Sequence, residues 1–172
     1  LELRGRDSLG LSVSFNSSNF MDLKHKSTNI DKSIHHYKSK KFDTFNFTFK
    51  TCNSIGSLGE NAADIKSMIR SNDFFNSLIT SNAVDSATIM AHTRWASVGG
   101  VTIDNAHPVE YVYSDTSGNY PKISSILNGD IYNYKELISE AVQTHSFSID
   151  TSKITNDCAA IPALLCSNND ID

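Results

Sequence analysis

The chain has 172 residues, enough for one domain with a real core. Hydrophobic residues make up 39% and charged residues 20%, which fits an ordinary soluble globular protein. The net charge of −4 argues against a nucleic-acid partner, and no apolar run is long enough to span a membrane.

The opening residues, Leu1-Glu2-Leu3-Arg4, do not have the layout of a signal peptide. The chain does not start with Met and so reads as a processed product or a piece of a longer protein. Residues 9–15 alternate, which predicts a half-buried strand with Leu9, Leu11, Val13 and Phe15 on one face. Residues 16–41 are polar and basic and read as a long loop, with Lys24, Lys26, Lys38, Lys40 and Lys41 solvated rather than forming a binding patch. Phe45, Phe47 and Phe49 alternate with polar residues and predict a second strand. Ser54 to Asn61, with Gly56 and Gly59, reads as a turn. A helix then runs to about Arg70, with Ile65, Met68 and Ile69 at helical spacing, and a shorter one covers Asp73 to Ile79.

Residues 87–92 predict a buried strand. From Thr93 to Tyr111 no period holds, but Arg94, Trp95, Asn105 and His107 stand out, with Trp95 read as a core residue. Residues 123–127 predict a strand that ends at the turn pair Asn128-Gly129. Tyr132 to Val142 reads as a helix with Leu137, Ile138 and Val142 inward. A last helix starts near Thr155-Asn156, either of which can cap it, and Pro162 inside it predicts a kink or two pieces. Strands and helices mix without regular alternation, which points to an α+β fold.

Three cysteines, Cys52, Cys158 and Cys166, form no paired spacing. They point to a reducing, cytoplasmic setting rather than to disulfides or zinc, and the glycosylation patterns at Asn16 and Asn46 then read as chance matches. His25, His35, His36 and His145 have no metal-ligand spacing. Four segments carry the chemistry: Leu3-Arg4-Gly5-Arg6-Asp7-Ser8, Ala91-His92-Thr93-Arg94-Trp95-Ala96-Ser97, Leu127-Asn128-Gly129-Asp130-Ile131-Tyr132-Asn133-Tyr134 and Ile154-Thr155-Asn156-Asp157. An arginine can grip a carboxylate with its planar fork. Asp157 can take an ammonium, and the Asn128 amide with the Gly129 N–H can stabilise an oxyanion. An α-amino acid whose side-chain carbonyl is attacked suits all three.

These segments, in this order, resemble the class II (N-terminal-nucleophile) glutamine amidotransferase domain, closest to that of glucosamine-6-phosphate synthase. The resemblance is carried by Arg-Gly-x-Asp-Ser-x-Gly at 4–10, by His92-Thr93-Arg94-Trp95-Ala96, by Asn128-Gly129 and by Asn105-Ala106-His107-Pro108. It covers residues 1–15 and about 54–165, while residues 16–50 read as an insertion or a divergent hairpin. Residues 1–172 would then form a partial amidotransferase domain, a four-layer αββα sandwich truncated at both ends.

The resemblance implies that Arg94, helped by Ser97, binds the glutamine α-carboxylate and Asp157 its ammonium. Asn128 and Gly129 would form the oxyanion hole, and Arg4 would position the nucleophile. His107 would lie in a loop beside the substrate. Ser97 stands where the family usually has Thr, and Val98 where it usually has His. The family's nucleophile is an N-terminal Cys whose own amino group is the base. Cys52, Cys158 and Cys166 have their amino groups in peptide bonds, so the resemblance implies that this chain alone is inactive.

The intact protein would hydrolyse L-glutamine and pass ammonia to a C-terminal sugar-phosphate isomerase domain. No metal or organic cofactor is implied, and homo-oligomers are common in the family. An asparagine-synthetase-like domain and a non-catalytic binding or scaffold domain are the rival readings.

Overall fold

The computed structural model describes residues 5–18, 34–39, 41–96, 100–112, 121–144 and 155–167. Arg4, Ser97, Val98 and most of the 16–33 stretch therefore lie outside the described residues. The described chain is α+β, with antiparallel sheets and four helices. No helix in it is long and apolar enough to cross a membrane.

Strand β1, Ser8–Ser17, is central in a four-stranded sheet. It pairs antiparallel with β3, Asp43–Thr51, on one side and with β4, Ser86–Arg94, on the other. Strand β2, Ile34–Lys38, continues the sheet beyond β3. This strand falls inside the stretch that the sequence reads as loop. Ile34 packs against the core, while the rest of β2 is His, Tyr and Lys, so no apolar alternation announces it.

The alternation of β1 and β3 sends Leu9, Leu11, Val13, Phe15, Phe45, Phe47 and Phe49 to one face. Helix α1, Glu60–Ser71, and helix α2, Asp73–Thr80, cover that face with Ile65, Phe75 and Leu78. Asn72 begins α2 by accepting the Phe75 N–H at 2.9 Å. Gly59 precedes α1 at φ 91°, a left-handed value that disfavours side chains. Phe47 is fully buried, and Phe75 meets it edge-on at 5.1 Å. Burying a side chain of this size contributes roughly 1.5–3 kcal/mol.

The second sheet is a pair, β5 (Val109–Val112) with β6 (Lys122–Ser125). Helix α3, Tyr134–Thr144, and helix α4, Ala160–Ser167, pack on it through Val109, Tyr111, Ile138, Ala141 and Ala163. A single 3-10 turn, Asp157–Ala159, leads into α4. It is capped by Asn156, whose side chain accepts the Cys158 N–H at 2.9 Å. The last segment is thus two pieces, and Pro162 sits in the first turn of α4, where its missing N–H leaves no intrahelical bond unmade.

The inner faces of the two sheets meet through polar groups. Glu110 Oε1 accepts from Thr48 Oγ1 at 2.7 Å, Ser124 Oγ at 3.0 Å and Ser12 Oγ at 3.3 Å. Lys122 Nζ bonds Glu110 Oε2 at 3.1 Å and Thr48 Oγ1 at 3.0 Å. Lys50 lies close by: burial lowers its pKa, Glu110 opposes this and Lys122 adds to it.

Two readings of β4 change. It is an edge strand of the described sheet, and Ser86 to Ile89 are exposed rather than buried. Trp95 is 72% exposed, not core. Arg94 takes the inward place at the end of β4, so alternation turns Trp95 to the other face.

Candidate active site

Three of the sequence-selected segments meet at the C-terminal end of β4. Gly5 and Asp7 of the first segment clasp the backbone there. A Cβ on Gly5 would come within 2.7 Å of the Thr93 carbonyl, so only glycine allows this approach. The Asp7 N–H donates to the Arg94 carbonyl at 3.0 Å, and Asp7 Oδ2 accepts the Ala96 N–H at 2.8 Å. The opening motif thus holds Arg94 from both sides of its backbone.

Arg94 itself is 6% exposed. Its Nη1 donates to the Gly100 carbonyl at 3.0 Å. Burial lowers the Arg94 pKa, while Asp157 and then Asp7 pull it back up. Asp157, which the resemblance assigns to the substrate's ammonium, is therefore close enough to act on the charge of Arg94, which it assigns to the carboxylate.

Asn105 joins the Arg94 loop to the Asp157 segment. Its side-chain nitrogen donates to the Gly100 carbonyl at 3.1 Å and to Thr155 Oγ1 at 2.9 Å, and its oxygen accepts the Thr155 N–H at 3.0 Å. Asn156 Nδ2 donates to the Asn105 carbonyl at 2.7 Å. Both asparagines are 1% exposed. A buried amide costs free energy unless it is bonded, and these two are bonded across 50 residues of chain. The sequence reading marks Asn105 as unusual and Asn156 as a cap, but assigns neither a role at the site. The signal available was a polar amide inside a stretch with no period.

The turn bearing Asn128 and Gly129 is held at both ends. Before it, the Leu127 N–H donates to His107 Nδ1 at 3.3 Å. After it, the Ile131 N–H donates to Asp157 Oδ2 at 2.7 Å. Between these anchors Asn128 and Gly129 are exposed. Gly129 has no positive φ, and a Cβ on it would meet only Leu127 Cδ1 at 3.7 Å. Neither the backbone nor the packing requires glycine there.

His107 is 4% exposed and precedes Pro108 through a cis peptide bond. Its ring lies 4.3 Å from that of His92, tilted by 31°. Burial, then the His92 ring, pushes the His107 pKa down to about 4, and a side-chain hydrogen bond with Asn156 opposes the fall. The His92 pKa is also lowered by burial, with a hydrogen bond to the Leu127 backbone acting the other way. Both rings are therefore neutral near pH 7. Two buried polar atoms here, Ser8 Oγ and His92 Nδ1, have no hydrogen-bond partner among the described residues, and Ser8 pairs with Arg94 across the strands.

The cysteines lie apart from this chemistry. Cys158 is fully buried and in contact with Ser125 Oγ at 3.3 Å, and burial raises its pKa. Burial pushes Cys166 up to about 11. Neither thiol is poised as a thiolate.

A cation, a carboxylate and an exposed amide–glycine pair, tied into one network, are the features by which the chain resembles class II glutamine amidotransferases. Comparison with known proteins agrees with that class. The chain is 46% identical over 78 residues to a glutamine–fructose-6-phosphate aminotransferase (isomerizing) of Sulfolobus acidocaldarius, covering 44% of this chain and 11% of that protein. It is 40% identical over 77 residues to the enzyme of the same name from Sulfurisphaera tokodaii, covering 44% and 11%. It is 36% identical over 80 residues to a probable one from Acanthamoeba polyphaga mimivirus, covering 46% and 12%.

The matches thus span only about a tenth of the length of these relatives. No family model and no solved structure matches the chain. The resemblance to a glutamine amidotransferase domain of the glutamine–fructose-6-phosphate aminotransferase type is borne out by these relatives.

Proposed function

We propose that these residues form the substrate-gripping part of a glutaminase domain. Arg94, helped by Ser97, takes the α-carboxylate of L-glutamine, and Asp157 takes the α-ammonium. Asn128 and Gly129 receive the oxyanion when the side-chain amide is attacked. The observation that carries this reading is the position of Asp157. It anchors Ile131 directly after the Asn128-Gly129 turn, and it also acts on the Arg94 charge. One carboxylate therefore sets the distance between the two ends of an amino-acid ligand.

The nucleophile in this reading is an N-terminal Cys outside these residues, positioned by Arg4 and deprotonated by its own α-amino group. Cys158 and Cys166 are buried with raised pKa values, which supports inactivity of the 172-residue chain alone. Two helix pairs on the outer faces of two facing sheets support an αββα sandwich of the N-terminal-nucleophile type. The names of the relatives support a parent protein that uses the released ammonia to make glucosamine 6-phosphate from fructose 6-phosphate in a sugar-phosphate isomerase domain. Three free cysteines fit a cytoplasmic setting.

The test is glutamate release from L-glutamine, by the parent protein carrying an N-terminal Cys and by this chain alone. Release by the first and none by the second is expected. Release by the chain alone, or none by the parent, overturns the proposal.

A further inference from the structure

The structure assigns a role to the His92–His107 pair: the two rings, packed against one another at a tilt, form a clamp on Leu127 that aims the Asn128-Gly129 turn. This inference rests on the glutaminase reading for its kinetic consequences, though not for its geometry. Three observations converge on it. The Leu127 N–H, one residue before Asn128, is bonded to His107 Nδ1 at 3.3 Å. The His92 ring, on β4, packs at a tilt against the His107 ring with centroids 4.3 Å apart. The His107 backbone itself is seated on Gly10, where no side chain fits.

The clamp depends on which nitrogen carries the proton. To accept from Leu127, Nδ1 of His107 must hold a lone pair, so the ring hydrogen sits on Nε2. Asn156 supplies the side-chain hydrogen bond on that ring. Asn156 is in turn held by Asn105 and by the Cys158 N–H. Leu127 is therefore fixed from the β4 side, while Ile131 is fixed independently by Asp157. With both ends staked, the Asn128 amide and Gly129 N–H need not reorganise as an oxyanion forms, which is the condition for strong electrostatic stabilisation. His107 in this role is a positioning residue and does not touch substrate, although sequence resemblance places it in a loop beside the substrate.

The test compares His107→Leu with His107→Asn in the parent enzyme. Asn presents its Oδ1 near the place of Nδ1 and keeps an acceptor for Leu127. His107→Leu should lower kcat for glutamine hydrolysis by about 10²-fold, with KM changed far less, because Arg94 and Asp157 still hold the substrate. His107→Asn should recover at least about tenfold of that loss. Amide hydrogen exchange reads the clamp directly: Leu127 should lose protection in His107→Leu while Ile131 keeps it. Equal kcat loss in both variants, a rise in KM with kcat unchanged, or unaltered Leu127 exchange overturns the inference. If His107→Leu does not fold, His107→Asn decides alone: retained Leu127 protection and kcat within about tenfold of wild type support the clamp, and their loss overturns it. If the parent releases no glutamate, the glutaminase reading fails, and the exchange experiment still decides the clamp.

Discussion

Gly10 of β1 lies directly under the backbone of His107: a Cβ on Gly10 would meet the His107 carbonyl oxygen at 1.7 Å and Pro108 Cδ at 3.2 Å. The first contact is with backbone, so it cannot be relieved by a rotamer change. Gly10 sits between Lys50 and His92 on the inner face of the sheet, which makes it the floor on which the 105–108 loop rests. Gly10→Ala should destabilise the fold by about 3 kcal/mol or more, at or beyond the upper end for overpacking. Urea denaturation with unchanged m-value would measure it. A loss under about 0.5 kcal/mol, the size of an ordinary surface change, would contradict this seating.

Gly129 is the opposite case. Its φ is not positive, and the nearest atom to an added Cβ would be Leu127 Cδ1 at 3.7 Å. Gly129→Ala should therefore leave stability within about 0.5 kcal/mol. If Gly129 belongs to the oxyanion site as proposed, the same variant should lower glutamine turnover of the parent protein by about 10²-fold, because the added methyl would obstruct a close approach by substrate. Asn128, also exposed, should behave alike: Asn128→Ala should cost about 10²–10³ in kcat, the loss typical of one oxyanion donor, with no change in melting temperature. Paired melting and steady-state measurements check both variants. Intact turnover in either would remove that residue from the oxyanion site.

These two glycines show how much of the site was legible in sequence. The motif around Gly10 could be seen, but its partner His107 lies 97 positions away, and no period links them. The same holds for Asn105 with Thr155 and Asn156. The strands with apolar alternation, β1 and β3, were readable because every second residue enters one core. Strand β5 was not, because Val-Glu-Tyr-Val places Glu110 between two sheets, where a carboxylate looks like a solvent-facing residue. Trp95 misled for the converse reason: a large aromatic suggests core, while its place after Arg94 turns it outward.

Glu110 gives a prediction about the layer between the sheets. It accepts three hydroxyl bonds and pairs with Lys122, and both side chains are largely buried. Glu110→Ala leaves Lys122 buried beside Lys50 without a counter-charge. The expected loss is about 3–5 kcal/mol, the range for breaking one half of a buried pair. Glu110→Gln still accepts from Thr48 and Ser124 and should lose less. Equal destabilisation by the two variants in urea would mean that the hydroxyl bonds contribute nothing and that the whole loss comes from the missing charge.

The neutral histidine pair predicts an acid limb of stability. The ordinary His pKa of 6.5 falls to about 4 for His107 in the folded protein, chiefly through burial, and His92 is lowered for the same first reason. Above pH 6.5 both states of the protein hold these rings neutral, and the stability they allow is fully present. As pH falls below 6.5 the unfolded chain takes up protons that the folded chain resists, so stability declines with falling pH. For His107 the decline ends near pH 4, where the folded form protonates as well. Carboxylates titrate in part of the same range, so the comparison with a variant isolates the histidine. In urea denaturation between about pH 7 and about pH 4.5, His107→Asn should show a shallower fall than wild type, by up to one proton's worth of slope. Parallel curves for the two proteins would show that His107 titrates alike in both states, and that it is not held neutral by the fold.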